Sequence, residues 1–138
     1  SRFVVDPLDL PPGSPFYCRA KLCLARHPSG AIVALAEDGK TARPACAFAD
    51  LIVIDDATAY SPCWNSLALV VTKRQLARSG SAAVFFDRQS ATAQATIRFA
   101  VEKPYRPWHE QRSYSREARG LPPYERPERP GTKPQPAQ

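Results

Sequence analysis

The sequence predicts a single α/β domain: a mixed, largely parallel sheet around a β-α-β core, with short helices. Three observations carry that prediction. Leu51–Ile54 (LIVI) and residues 67–71 (LALVV) are continuous apolar runs bounded by polar residues, the pattern of strands covered on both faces. Thr72, the heptapeptide KRQLARS and Gly80 then spell a capped helix, followed at once by a third run, AAVFF, at residues 82–86. Strand, helix and strand at this spacing require a right-handed crossover and parallel pairing. Finally, 138 residues give room for one domain with a core of its own.

Residues 1–15 hold one apolar cluster, Phe3-Val4-Val5, ahead of a loop marked by Pro11, Pro12 and Gly13. The opening SRFVVDPLDL enters on a strand-like pattern with no signal peptide, and reads as the interior of a longer polypeptide. Residues 16–27 follow as a strand, and His27-Pro28-Ser29-Gly30 as a turn in which Pro28 presets φ. Residues 31–36 (AIVALA) return as the second strand of a hairpin. Asp38-Gly39 is another turn. Thr41 is placed to cap a short helix through residue 47 or 49, which carries Cys46 and tolerates Pro44 in its first turn.

Asp50 opens the LIVI strand, and Asp55-Asp56 leaves it through a loop to Pro62-Cys63. Beyond the third run, Ile97, Phe99 and Val101 alternate with Thr96, Arg98 and Ala100, as in a half-buried edge strand. Trp108 closes the ordered region, so the domain is drawn over residues 1–110. Residues 111–138 form a Pro/Arg-rich tail whose one branched aliphatic, Leu121, buries too little apolar surface to offset its ordering entropy. The tail is expected to be disordered.

The net charge of +6 permits nucleic-acid binding without pointing to it. The charge is spread evenly: residues 1–100 carry eleven Lys/Arg against eight Asp/Glu, and residues 101–138 carry eight against five. No apolar run approaches the ~20 residues that span a bilayer as a helix. No Ser-His-Asp order, GxGxxG, P-loop or pair of glycosidase carboxylates can be assembled, and His27 and His109 stand isolated.

Cys18, Cys23, Cys46 and Cys63 do not make a zinc knuckle, because their spacing is not that of CxxC pairs. An even count fits two disulfides in an oxidising compartment, with four buried thiols as the plainer reading. Pairing Cys18 with Cys23 and Cys46 with Cys63 is the expectation, although four cysteines allow three connectivities. Asp55 and Asp56 follow a central strand, at the edge where α/β sheets bind ligands, but solvated loop carboxylates or an Asx turn are the favoured explanation. Lys73 and Arg74, in the first turn of the second helix, oppose its dipole; with Arg78 they are candidates for contact with nucleic-acid phosphates. Trp64 and the tyrosines can stack bases, yet aromatics in loops are more often packing residues.

Taken in order, Cys18–Cys23, residues 30–34, residues 46–54, Cys63, residues 69–85 and residues 106–108 (RPW) resemble the extreme C-terminal portion of ComEC-type competence proteins of alphaproteobacteria. The resemblance covers residues 16–108. It implies the second half of a metallo-β-lactamase-like sandwich, on the periplasmic side of an inner-membrane channel that admits single-stranded DNA in natural transformation. The activity suspected of many members is a nuclease for the untransported strand. Metal-binding members carry HxHxDH in the first half, then Gly-Asp after the hairpin strand and His-His-Gly-Ser after the next. Here those two places read Leu35-Ala36-Glu37-Asp38 and Ile54-Asp55-Asp56-Ala57, with no ligand histidine.

The sequence therefore points first to a non-catalytic periplasmic segment of such a channel, with no cofactor, no metal and no catalytic residue. Its partners would be the channel remainder of the same polypeptide and single-stranded DNA, with no small-molecule substrate. Two alternatives stand beside it. One is a metal-dependent nuclease using Asp38, Asp55 and Asp56; the other is a stand-alone interaction module that docks its Pro-rich tail in a partner groove.

Overall fold

The computed structural model describes residues 9–64, 66–86, 95–101 and 107–125, with no side-chain description for residues 107–110. Phe3-Val4-Val5, Arg106, the indole of Trp108 and the imidazole of His109 therefore lie outside the described residues, as does the tail beyond Glu125. The fold is α/β, with one mixed five-stranded sheet, a separate two-stranded sheet and a few short helices.

The first strand region is itself a hairpin: β1 (Tyr17–Arg19) pairs antiparallel with β2 (Leu22–Arg26). Its two-residue loop, Ala20-Lys21, has φ of +49° and +69°, the left-handed pair that a type I′ turn requires. Neither residue is the usual Asn or Gly. Cys18 sits directly opposite Cys23 and is disulfide-bonded to it, tying the strands beside this unfavourable turn. β2 then pairs antiparallel with β3 (Ile32–Ala36) through the expected turn at residues 27–30, where Gly30 takes φ +96°.

From β3 the pairing turns parallel. β4 (Leu51–Ile54) lies between β3 and β5 (Leu69–Thr72), so strand order in the sheet follows chain order. Asp50 sets that register: its amide donates to the carbonyl of Ile32 and its carboxylate accepts from the Ile32 amide at 2.8 Å. The register places Leu22, Ala36 and Ile54 in one row and Leu24, Ala34 and Ile52 in the next, on one face. Against that face pack Ala42, Ala45 and Ala49, whose small side chains let the helical segment approach closely. Ile52 and Ile54 are fully buried, each contributing about 2–3 kcal/mol of hydrophobic stabilisation. On the other face of β4, Leu51 is buried and Val53 half-buried, in accord with a strand covered on both sides.

Between β3 and β4 the helix is shorter and earlier than the sequence suggests. α1 (Gly39–Ala42) is capped by Asp38, whose carboxylate accepts from the Thr41 amide at 2.7 Å. Thr41 is thus the donor in the cap and not the capping residue. Pro44 falls where the chain tightens into a 3₁₀ segment (Arg43–Ala47), consistent with its missing amide hydrogen. After β5, α2 (Lys73–Ser79) is capped by Thr72 as expected, and the cap is a full capping box: Gln75 donates its amide to the Thr72 hydroxyl, and its side-chain oxygen accepts from the Thr72 amide. Gly80 ends it at φ +81°.

Two expectations need correction. β6 (Ala82–Phe86) does not extend the parallel sheet; it pairs antiparallel with β7 (Ala95–Phe99) in the separate two-stranded sheet. Both strands bury only alternate residues partway, so they lack the two-sided cover that parallel pairing needs. Residues 111–125, drawn above as disordered tail, continue a 3₁₀ segment (Pro107–Tyr114) that packs beside α2, then turn so that Leu121, Pro122 and Pro123 line a cleft with Asp38 and Asp55. Ala118 is buried there, and four backbone hydrogen bonds close the turn at residues 115–121. Backbone contacts, not apolar side chains, order this stretch.

Candidate functional site at the carboxyl ends of the parallel strands

A cleft of about 370 Å³ opens where β3, β4 and β5 end. β3 delivers Glu37 and Asp38, β4 delivers Asp55 and Asp56, and β5 delivers Lys73 at the start of α2. The far wall is Glu117, Leu121, Pro122 and Pro123. This is the edge at which open α/β sheets generally bind ligands, because loops there are free of the sheet's own hydrogen bonding.

Asp38, Asp55, Asp56 and Lys73 already have local tasks. Asp38 caps α1, and the hydrogen bonds from Thr41 hold its carboxyl below the usual carboxylate range, with Lys21 and Lys40 adding to the effect. Asp56 accepts from both the amide and the hydroxyl of Thr58, at 2.9 and 2.7 Å, which is an Asx turn. Asp55 faces the Lys73 ammonium at 3.7 Å. With Glu37 and Glu117 also lining it, the cleft is acidic and a poor receptor for phosphate. Asp38, Asp55 and Asp56 share it, yet among the described residues no three His, Cys, Asp or Glu side chains come together as a metal-binding group. His27 is a turn residue: its Nδ1 bonds Ser29 and its ring packs on Phe86.

Lys73, Arg74 and Arg78 do not share one open basic face. Lys73 is turned toward Asp55, and Arg74 donates from Nε to the carbonyl of Ala118 at 3.3 Å. Arg78, in the last turn of α2, is also engaged. Gly120 lies against the Arg74 side chain; with φ +72°, a Cβ there would stand 3.3 Å from both the Ala57 carbonyl oxygen and Arg74 Cδ. Nothing in the composition of residues 111–125 marks Glu117 and residues 121–123 as a wall of the cleft. Gly120 followed by Leu121 was the available signal, since a glycine ahead of a lone aliphatic marks a turn that returns a side chain to the body.

The cysteines form Cys18–Cys23 and Cys46–Cys63, with no free thiol among the described residues. The second bridge ties the 3₁₀ segment before β4 to the loop after it, and Ser66 Oγ reinforces the tie by donating to the Cys46 carbonyl at 2.7 Å. No helix among the described residues is long and apolar enough to cross a membrane. No family model matches the chain, and comparisons with curated proteins and with solved structures find no match.

Proposed function

We propose that this chain is a non-catalytic, periplasmic segment of a ComEC-type inner-membrane channel for DNA uptake, derived from the second half of a metallo-β-lactamase-like sandwich. One observation carries the reading. At the two strand ends where the resemblance would have metal ligands, the carboxylates serve as a helix cap, an Asx turn and an ion pair. A scaffold whose ligand positions hold up its own loops is suited to structure rather than hydrolysis. Two disulfides support an oxidising compartment. Contact with single-stranded DNA through Lys73, Arg74 and Arg78 belongs to the same reading; it requires phosphates to displace Asp55 and the Ala118 carbonyl, so it would be weak and fall steeply with salt.

Natural transformation of the native host tests the proposal, using the full encoded protein. Deleting residues 16–110 is expected to abolish transformation, while Asp55→Ala with Asp56→Ala leaves it within about twofold, since no barrier-lowering group is lost. Undiminished transformation after the deletion would remove the channel role. Loss of transformation in the double variant at unchanged protein level would restore the metal-dependent nuclease.

A further inference from the structure

Trp64 and Tyr60 are not packing residues. Tyr60, Trp64 and Leu67 are 84%, 87% and 100% exposed, the three most exposed large apolar side chains among the described residues. All three belong to the connection between β4 and β5. Residues 57–68 (ATAYSPCWNSLA) contain no Asp, Glu, Lys or Arg, in a chain where such residues make up 23%. A loop exposed to water that carries apolar groups and no charge needs an explanation.

The loop is also held in place. Cys63, next to Trp64, is bridged to Cys46, and Ser66 Oγ bonds the Cys46 carbonyl. The Ser66 and Ser61 hydroxyls accept from the amides of Ala68 and Cys63, at 3.0 and 3.3 Å. Side chains presented on a fixed backbone lose little entropy on binding, and amides satisfied from within the loop lose less on leaving water.

We propose that Tyr60, Trp64 and Leu67 form a membrane-interface loop that seats this domain on a lipid headgroup surface. Trp and Tyr favour the headgroup level, where the ring is dry and its polar atom wet, and Leu supplies apolar depth. The net charge of +6 adds attraction to anionic lipid. A single-stranded nucleic acid fits less well. Base stacking works beside cations that hold the phosphates, and this loop has none. A protein anchor is less favoured too, because such residues are typically ringed by polar contacts that exclude water, whereas these three stand clear of their neighbours. The inference goes beyond the DNA-uptake reading and stands without it.

Co-sedimentation of the purified full chain with equimolar phosphatidylcholine–phosphatidylglycerol vesicles tests it, with tryptophan emission followed in parallel. The full chain is expected to partition with a blue shift, and more weakly on phosphatidylcholine alone. Trp64→Ser with Leu67→Ser should lower partitioning at least about tenfold at an unchanged melting temperature, because two buried apolar side chains are lost from the interface. Trp64→Phe should retain most of it. Four results would overturn the proposal. They are no vesicle binding by the full chain, equal binding by the double variant, loss of oligonucleotide binding alone, or a solution dimer that the double variant dissolves. None of these touches the transformation result, so the two readings fail separately.

Discussion

Replacing Cys46 and Cys63 together by alanine opens a loop whose ends are separated by 17 residues in sequence. In the chain-entropy treatment, closing a loop of this length removes enough freedom from the unfolded chain to stabilise the fold by about 3 kcal/mol. The Cys18–Cys23 bridge spans a separation of only 5, and the same expression gives about 2 kcal/mol. Cys63 also belongs to the buried cluster with Ile52 and Ile54, so its truncation adds a packing loss in the same direction. For a chain of this size a 3 kcal/mol loss should lower Tm by about 10 °C. Urea unfolding followed by far-ultraviolet circular dichroism, run on both double variants, measures the two costs side by side. A loss below about 1 kcal/mol for the Cys46/Cys63 pair, or a larger loss for the Cys18/Cys23 pair, would refute the loop-length reasoning.

Acid titration should single out Asp38. Its folded-state pKa lies below the ordinary value, so its stabilisation is present above that value and fades as pH falls through the folded one. Asp38→Asn keeps a capping oxygen without the charge; its Tm should lie below that of the native chain near neutrality and converge with it as pH falls through the lowered folded-state value. A gap that stays constant with pH would show that the charge contributes nothing. Gly120→Val places a branched side chain at φ +72° against the Ala57 carbonyl and Arg74. The expected cost is about 1–3 kcal/mol, confined to the turn. Faster hydrogen exchange at Arg119, Gly120 and Leu121 with a Tm lower by about 3–10 °C is the outcome to look for, and unchanged exchange and Tm would contradict it.

The parts of the fold legible in the sequence are those governed by local chemistry or two-sided burial. LIVI announced the central strand because β4 has no solvent face to encode. Thr72 and Gly80 announced α2 because an N-cap and a positive-φ terminus need those residue types, while the reciprocal bond from Gln75 emerged only in the structure. Asp38 and Thr41 were harder to separate: both residue types cap helices, and only the position of the first turn decides between them. AAVFF looks like LIVI to a hydropathy pattern, yet it is half-buried on one face, exposed on the other, and pairs elsewhere. Residues 111–125 escaped notice because composition registers side chains, whereas the Arg74–Ala118 bond and the close approach at Gly120 are backbone affairs. At the site, the acidic strand ends and an Asx turn there were legible, but the pairing of Asp55 with Lys73 was not, since that contact joins the ends of two strands across the sheet edge.

The match between strand order and chain order bears on how the molecule comes into being. Each of β2 to β5 docks on the strand made just before it, so no strand waits for a later one to offer it an edge. The first closures span a two-residue turn and a short hairpin, which cost little loop entropy. The crossovers from β3 to β4 and from β4 to β5 are longer, and the second contains no helix to shorten it. The Cys46–Cys63 bridge joins the first crossover to the second around β4, fixing the chain at Cys63 partway to β5. Oxidation of this pair shortens the path β5 must search, coupling the last step of building the sheet to the redox state of the surroundings.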